Sequence, residues 1–358
     1  MRHNTAKESV FAPARNGGAE LVRYSGDSIA VVPAFFGDLP VTAIGPGAFS
    51  GLPVTSVTLP EGVNSIGREA FSGCTRLRSI QLPHSLREIG ASAFLRCSAL
   101  EAFSLPEDHP AFRVENGMLL DRRGKILLCC PAGKLDREIV LPVGVTSIAE
   151  NAFSWCVGPR TIDLGLSLVS IQNDAFSMCT SLEEVILPPS LTSIGARAFS
   201  GCSRLRAMQL PGSVRQIGAE AFSGCESLQS ILLPDILQKI ENGLFEGCRR
   251  LTELSLPESV GLIGDDAFRN CVSLVSVNLP LELKWLGDSA FRGCASLEKL
   301  EFSSSPVRIG RNALTDCPRL TLTVSPGSDA EAYAKENRVR FRRTGASLFR
   351  RSRQQAEG

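Results

Sequence analysis

Cysteine is the residue best placed to do chemistry in this chain, which has 12 of them in 358 residues. Thiolates bind metals, act as nucleophiles and form disulfides. Ten of the twelve recur at one point of a periodic pattern, three residues after an apolar anchor residue: Cys74, Cys97, Cys156, Cys179, Cys202, Cys225, Cys248, Cys271, Cys294 and Cys317. Such placement predicts a row of buried, reduced thiols, because free cysteine packs as a small hydrophobe. Partial oxidation and metal capture are the alternatives.

Cys129 and Cys130 lie outside this pattern and form a separate case. Successive residues of a strand point to opposite faces, so one thiol is expected to be buried and the other exposed. A redox or thiol-reactive site is therefore an alternative to a structural role. The chain has no Cys-x-x-Cys pair, so the sequence predicts no zinc site of the usual spacing.

Histidine offers little further chemistry, since His3, His84 and His109 fall in a predicted tail, a loop and an insert. They form no Ser/His/Asp or Cys/His constellation. Phosphate-binding, dinucleotide-binding and zinc-protease motifs are also missing from the sequence. We therefore predict that the chain is not an enzyme and that it needs no cofactor and no metal.

The overall charge limits the classes of partner that are expected, because the chain has 38 basic and 37 acidic residues. A net charge of +1 argues against a generally basic nucleic-acid binder. No run of 18 apolar residues exists, so no transmembrane segment is expected. Residues 1–17 have no apolar core of a signal peptide, which favours the cytoplasm. The arginine-rich residues 344–358 predict a disordered basic tail. It has no binding role in the favoured interpretation, and holds acidic protein, nucleic acid or lipid headgroups in the alternative one.

The elements that must position these residues follow from an internal repeat. Its anchors, most of them in Ala-Phe pairs, recur at a constant spacing from Phe153 onward, at positions 153, 176, 199, 222, 245, 268, 291 and 314. The earlier anchors Phe49, Phe71 and Phe94 keep the same spacing to within one residue. The structural anchors are Phe71, Phe94, Phe153, Phe176, Phe199, Phe222, Phe245, Phe268 and Phe291. The interval from Phe94 to Phe153 is longer than two periods, which indicates one period plus an insertion.

One copy shows what each repeat builds. Leu205, Met208 and Leu210 alternate with polar residues before Pro211, which predicts a short strand with one buried face. Gly218 follows at a turn where we expect a positive φ. A single copy has too few apolar residues for a core, so copies must stack. We predict a β-rich solenoid, a leucine-rich repeat array with one short strand per repeat, a hairpin insert and terminal caps.

The motif resembles the BspA-like leucine-rich repeats. Residues 66–83 carry its whole pattern, Ile-Gly-x-x-Ala-Phe-x-Gly-Cys-x-x-Leu-x-x-Ile-x-Leu-Pro, and the resemblance covers residues 39–324. It implies a non-catalytic scaffold for protein–protein interaction, of an adhesion or host-interaction type that is often at the cell surface or secreted. Ten free thiols agree better with a reducing interior, so the alternative is a cytoplasmic structural or assembly scaffold binding a partner from the same cell. Localisation stays open between the two.

The repeat also sets the domain boundaries. We predict strands at residues 21–24 and 29–33 in the N-terminal cap, a C-terminal helix beginning near residue 330 and a last strand at 339–341. The full division is a disordered N-terminus at 1–18, an N-terminal cap at 19–38, a first repeat block at 39–106, a β-hairpin insert at 107–139, a second repeat block at 140–326, a helix/strand cap at 327–343 and the tail at 344–358.

The surface most able to bind a partner is the exposed side of the strand row. Its residues flank the buried apolar residue of each strand and are small, polar and mildly acidic, with no aromatic row for sugars and no basic row for phosphates. The candidate protein-binding residues are Asp163, Glu184, Ile186, Gln209, Leu232 and Glu253. A plain solvated surface is the alternative. We expect a monomeric solenoid whose protein partner the sequence does not identify, and no nucleic-acid partner.

Overall fold

The computed structural model describes residues 9–15, 17–302 and 307–344. The predictions for residues 1–8, His3 and the tail at 345–358 lie outside this part of the chain. The described chain forms two compact units, Met1–Leu191 and Thr192–Gly358. Each unit is built from stacked β-rich turns, called rungs here and named by their anchor residue, which confirms the predicted β-solenoid.

Each regular rung contains two short strands. The first has three residues in an exposed–buried–exposed order, as in Ala207–Gln209, where Met208 is buried. The second has two residues, as in Gln216–Ile217, and was not predicted. Two residues are too few to show an alternation in the sequence, so only their pairing between rungs reveals the strand.

The first unit contains eighteen strands in its described residues. Their bounds are β1 Val10–Pro13, β2 Ala19–Arg23, β3 Ile29–Val31, β4 Phe35–Phe36, β5 Leu39–Ile44, β6 Ser56–Thr58, β7 Ser65–Ile66, β8 Ser79–Gln81, β9 Glu88–Ile89, β10 Ala102–Ser104, β11 Phe112–Glu115, β12 Met118–Asp121, β13 Ile126–Cys129, β14 Glu138–Val140, β15 Ser147–Ile148, β16 Thr161–Asp163, β17 Ser170–Ile171 and β18 Glu184–Ile186. Parallel pairing joins like strands of successive rungs, in the orders β2-β5-β7-β9, β3-β6-β8-β10, β13-β15-β17 and β14-β16-β18.

The second unit contains thirteen strands and one helix among its described residues. They are β19 Ser193–Ile194, β20 Ala207–Gln209, β21 Gln216–Ile217, β22 Ser230–Leu232, β23 Lys239–Ile240, β24 Glu253–Ser255, β25 Leu262–Ile263, β26 Ser276–Asn278, β27 Trp285–Leu286, β28 Lys299–Phe302, β29 Arg308–Ile309, β30 Thr321–Val324, α1 Asp329–Glu336 and β31 Arg340–Arg343. The parallel orders are β19-β21, β20-β22, β23-β25-β27-β29 and β24-β26-β28-β30-β31.

The anchor phenylalanines form the centre of each unit's core. Phe49 and Phe71 stack at 4.9 Å between ring centroids in the first unit. In the second unit the centroid distances from Phe199 to Phe291 run from 4.8 to 5.8 Å, with the rings nearly parallel. Of the nine predicted anchors, Phe94 retains 5% exposure and the other eight have none. Stacked aromatic pairs add about 0.5–1.5 kcal/mol each beyond their buried area.

Gly218 is needed for a reason other than the predicted one. Its φ is not positive, so the expectation of a left-handed turn there was wrong. A Cβ at this position would instead lie 2.3 Å from the main-chain nitrogen of Ala196 in the neighbouring rung. The Ile-Gly step therefore permits close backbone contact between rungs.

The insert begins as the predicted hairpin. β11 and β12 pair in antiparallel fashion around Asn116 and Gly117, both at positive φ. β13 then pairs antiparallel with β12 on one side and parallel with β15 on the other, so the repeat array resumes inside the range assigned to the insert. The N–H of Cys130 donates to the carbonyl of Ala152 at 2.7 Å, as Phe153 does to Ala175 at 2.8 Å. Cys130 therefore occupies the anchor position, one repeat period before Phe153.

Both ends carry caps. β1 pairs antiparallel with β2, although the sequence predicted residues 1–18 to be disordered; the two strands flank a tight turn, where Gly17 has a positive φ. At the other end, the Ser328 hydroxyl caps α1 by accepting from the N–H of Glu331 at 3.2 Å. β31 pairs parallel with β30, one residue later than the predicted start.

Candidate functional site

The candidate strand face of the first unit lies on β16 and β18. Asp163 is opposite Ile186 in the register, and Thr161 is opposite Glu184. Ile186 is 48% exposed, while Val185 between the two outward residues is buried. Asp163 is half-buried and therefore less exposed than Ile186, and its carboxylate accepts a hydrogen bond from the N–H of Gly165 at 2.9 Å. It therefore shapes the end of its own strand as well as facing outward.

The second unit carries the other three candidates. Gln209 on β20 is opposite Leu232 on β22, and Glu253 lies on β24. All three are exposed, and Leu232 is exposed by 63%. Its apolar side chain stands in a row that is otherwise built of small and polar residues. In the first unit Val140 of β14, opposite Asp163 in the register, is also exposed, by 60%. These apolar side chains distinguish the two faces from a plain polar strand row, and the role of Ile186 and Leu232 in binding stays a prediction.

The ten periodic cysteines show why their side chain suits its position. In the described contacts, the thiol donates a hydrogen bond to the main-chain carbonyl of the anchor in the preceding rung. The thiol of Cys74 donates to the carbonyl of Phe49 at 3.0 Å, and that of Cys248 to the carbonyl of Phe222 at 3.2 Å. A buried carbonyl thereby gains a second donor at little cost in volume. All twelve cysteines are free thiols in the structure.

Burial also makes these thiols poor nucleophiles. Loss of solvent raises the pKa of Cys74 to about 11 and that of Cys225 and Cys271 to about 12. Because only the thiolate attacks electrophiles or binds metals, these groups are inert near neutral pH. The row of thiols is thus arranged for packing and hydrogen bonding.

Cys129 and Cys130 differ in exposure, but by less than the predicted buried and exposed pair. Cys130 is buried at the anchor position, whereas Cys129 is half-buried. Desolvation raises the pKa of Cys129 well above its ordinary value, and the nearby Cys130 and Cys97 thiols add to this effect. A thiolate at Cys129 is therefore disfavoured, and no described acid–base partner activates it.

His109 has a structural role that sequence inspection missed, because nothing in its context distinguishes it from a loop histidine. It is fully buried, and its Nδ1 accepts the N–H groups of Ala111 and Phe112 at 3.2 and 3.1 Å. The proton must then reside on Nε2, which donates to the carbonyl of Pro83 at 3.1 Å. His109 thus fastens the start of the insert to an earlier rung.

Two kinds of feature are absent from the described residues. No group of three or more His, Cys, Asp or Glu side chains is placed to hold a metal ion. No helix there is long and apolar enough to cross a bilayer.

The repeat geometry invites comparison with known families. A family model described as a BspA type leucine rich repeat region matches in six copies, over residues 40–114, 134–249 and 238–332. The chain belongs to the BspA-type leucine-rich repeat family. The unmatched stretch between the first two ranges, residues 115–133, contains the end of β11 and all of β12 and β13, where this chain departs from the BspA-type pattern.

Solved structures agree with the BspA-type fold. A leucine rich cell surface protein from Faecalibacterium prausnitzii is 25% identical with a TM-score of 0.57, covering 96% of this chain and 95% of that chain. A leucine-rich repeat protein from Eubacterium ventriosum is 20% identical with a TM-score of 0.56, covering 87% and 94%. The pneumococcal vaccine antigen PcpA is 18% identical with a TM-score of 0.56, covering 91% and 80%. Comparison with curated proteins gave no match.

Proposed function

We propose that this BspA-type protein is a non-catalytic scaffold that binds another protein through its exposed strand faces. The observation that carries the proposal is the pair of exposed apolar side chains, Ile186 in the first unit and Leu232 in the second. Each stands on a parallel strand whose backbone is fixed by pairing to its neighbours, so its position is defined before any partner arrives.

The neighbouring charges give each face its polarity. Glu184 in the first unit and Glu253 in the second lie exposed on the same strand rows as the apolar residues. An apolar side chain flanked by carboxylates suits a partner surface with a small apolar depression and basic residues at its rim. A polysaccharide is less well served, because no aromatic side chain lies on these strands to stack on a sugar ring.

The proposal has two forms, which differ in whether the partner protein lies outside the cell or inside it. The likeness to a cell surface protein of Faecalibacterium prausnitzii supports an adhesion or host-interaction role. The buried thiols support the second form, a cytoplasmic assembly scaffold that binds a protein of the same cell, since reduced cysteines are typical of a reducing compartment. We favour the scaffold function in either case and place the adhesion role first.

The experiment compares binding of the wild type with two charge-introducing variants, Ile186→Asp and Leu232→Asp. The immobilised protein is tested by quantitative binding against purified extracellular-matrix proteins and, separately, against proteins of the producing cell. A carboxylate at an interface centre is expected to weaken binding about tenfold or more. The compartment whose protein shows this loss identifies the form of the function.

Matched controls come from exposed leucines away from the strand faces. Leu166 in the first unit is 84% exposed and Leu281 in the second is 57% exposed, and both lie in loops. Leu166→Asp and Leu281→Asp should leave binding unchanged. If they weaken it as much as the strand-face variants do, the effect is general and the strand faces are not the binding site.

A further inference from the structure

Regular rungs of this protein are joined around the anchor by three main-chain hydrogen bonds. The N–H groups of the anchor and of the residues two before and two after it donate to carbonyls of the following rung. In the Phe71 rung the bonds are Glu69 to Ala91 at 3.1 Å, Phe71 to Ala93 at 2.8 Å and Gly73 to Leu95 at 2.7 Å. The same set joins the Phe199, Phe222, Phe245, Phe268 and Phe291 rungs to their successors.

The Phe94 rung lacks all three bonds. Within the described residues, the N–H groups of Ser92, Phe94 and Arg96 have no protein acceptor. The carbonyl of Ile89 also has no donor, although the equivalent carbonyl of Ile66 accepts from Gly90 at 2.7 Å. Ile89 is half-buried, whereas Ile66 is only 2% exposed. One edge of this rung is therefore open.

The cause is a rung that is two residues too short. Leu127 pairs with Ile148, and Cys130 occupies the position equivalent to Phe153. The path from strand to anchor thus takes three residues in the Cys130 rung and five in the Phe153 rung. The turn that would supply the missing carbonyls does not exist, because the chain enters this rung from the hairpin β11–β12.

A pocket of about 420 Å³ fills the space of the missing turn. We call it the rung gap. Its walls are residues 89–95 on one side and Leu128, Cys129, Ala149 and Glu150 on the other. Its volume lies in the range of sites that hold a ligand, and its lining is mainly apolar with main-chain polar groups at the edge.

Side chains hold the rung gap open at a fixed width. The Nδ2 of Asn151 donates to the hydroxyl of Ser92 at 2.9 Å, and the guanidinium of Arg96 lies 4.5 Å from the ring centroid of Trp155. Arg68 and Glu150 form an ion pair at 3.5 Å. The first two contacts link the Phe94 and Phe153 rungs, and the ion pair links the Phe71 and Phe153 rungs. None of them is a main-chain bond, so the open edge is preformed.

We propose that the rung gap binds a peptide segment of a partner protein, which adopts the turn conformation of a regular rung and completes the rung through main-chain hydrogen bonds. The segment places carbonyls opposite Ser92, Phe94 and Arg96 and an N–H opposite Ile89, with small side chains toward Cys129. The mode is related to strand addition, because unpaired main-chain groups recruit a peptide backbone, but here the open edge is a turn. The site is distinct from the strand faces of the proposed function.

The chain's own repeats argue for a peptide. In the second unit, Ala219, Ala221 and Ser223 offer carbonyls at the spacing that the open edge requires, and Gly218 offers its N–H to Ile194 at 2.8 Å. A free anion would satisfy the donors but not the Ile89 carbonyl, and Glu150 at the wall disfavours it. A second copy of the chain has these segments already paired within its own rungs.

The test uses a synthetic peptide with the sequence of residues 217–224 in which alanine replaces Phe222, Ile-Gly-Ala-Glu-Ala-Ala-Ser-Gly, together with the full-length protein. The replacement is needed because Cys130 already fills the anchor position of this rung. Amide hydrogen exchange is read at Phe94 and at Phe71. Without peptide, Phe94 should exchange faster than Phe71, since its N–H is unpaired. Saturating peptide should slow exchange at Ser92, Phe94 and Arg96 and leave the second unit unchanged.

The control peptide carries an N-methyl group on the glycine that corresponds to Gly218, which removes the donor for Ile89. Loss of one hydrogen bond should weaken binding about fivefold to tenfold. A Cys129→Trp variant, which fills the rung gap, should abolish binding; the control peptide keeps the test valid if this variant fails to fold. Equal exchange at Phe94 and Phe71 in the free protein, no saturable binding, or equal binding of both peptides would each overturn the proposal.

Discussion

The hydroxyl of Tyr333 accepts a hydrogen bond from the main-chain N–H of Leu314 at 3.3 Å. Leu314 is the last anchor among the described residues of the second unit, and no further rung follows it there to offer a carbonyl. In the rung before it, Phe291 donates to the carbonyl of Ala313 at 2.8 Å. The tyrosine of the C-terminal helix thus takes the place of a missing rung.

Tyr333→Phe should destabilise the second unit by about 1–3 kcal/mol, because it leaves a buried N–H without an acceptor while keeping the ring. Urea unfolding measures the loss. Hydrogen exchange should locate it at Leu314. An unchanged exchange rate there would show that the hydroxyl is not the acceptor in solution.

Acid should loosen the C-terminal cap through Glu331. Hydrogen bonds from Lys335, the N–H of Gly327 and Arg343 lower the pKa of this carboxyl to about 2, from an ordinary value of 4.5. The folded state therefore holds the proton less tightly than the unfolded state, so the stabilisation is present above pH 4.5 and disappears as the pH falls toward 2.

The Glu331→Gln variant should lack the loss of unfolding free energy that protonation of Glu331 causes in the wild type. Unfolding curves recorded between pH 2 and 6 measure this difference. Glu336→Gln, an exposed position on the same helix, serves as the control and should behave as the wild type. The explanation fails if Glu331→Gln loses stability with falling pH as steeply as the wild type.

Mild acid should release the insert through His109. Desolvation lowers the pKa of this imidazole below its ordinary value of 6.5, and His84, Arg87 and Arg122 lower it further, while the bond to Pro83 opposes them. Protonation would also place a second N–H against the amides of Ala111 and Phe112. The stabilisation is therefore full above pH 6.5 and is lost as the pH falls below that value.

Hydrogen exchange at Phe112, followed from pH 7.5 to 5, measures this opening after correction for the intrinsic rate. Arg87→Gln keeps the imidazole of His109, and its insert should open at a slightly lower pH, since the substitution removes one neighbouring positive charge that lowers the pKa of His109. An opening that is independent of pH in the wild type would contradict the role given to His109.

Removal of one anchor ring should be costly. Phe222 is fully buried and stacks at 5.6 and 5.8 Å on the rings before and after it, so Phe222→Ala should cost about 3–5 kcal/mol. Rungs on either side should then melt separately in calorimetry. Phe35→Ala, at a position 61% exposed, should change stability by about 0.5 kcal/mol or less. A single transition at the wild-type temperature would disprove the expectation for Phe222.

The buried thiols should resist alkylation until the protein unfolds. Iodoacetamide at neutral pH should modify the half-buried Cys129 and Cys317 first, and the fully buried Cys74 and Cys225 only in denaturant. Mass spectrometry of digested samples, before and after unfolding, counts the modified residues. Disulfide-linked peptides in the native sample would contradict the free thiols.

The anchors of this fold could be predicted from the sequence. Each repeat needs one large apolar side chain at the same buried position, so residues such as Phe199 and Phe222 recur at a constant spacing. The short strands beside Ile217 and the close contact at Gly218 escaped prediction, since both arise from pairing between rungs rather than from a local pattern. Cys130 escaped for a related reason: it fills an anchor position without an Ala-Phe pair, and only the bond to Ala152 reveals it. The strand-face residues were predicted as exposed, but alternation says nothing about what they bind.

The short Cys130 rung also interrupts the main-chain hydrogen bonding between successive rungs of the first unit. Across it, from the rungs ending at residue 106 to those starting at residue 126, the described main chain has one hydrogen bond, from Gly133 to Leu100 at 2.8 Å. In a one-dimensional stack, unfolding that starts at one end propagates through neighbour-to-neighbour coupling. Here that coupling rests on a single main-chain hydrogen bond and on the side-chain contacts across the rung gap. We therefore expect unfolding that starts within residues 9–106 to spread less readily to the rungs beyond. The missing turn thereby weakens the coupling between two cooperatively unfolding segments of the same unit.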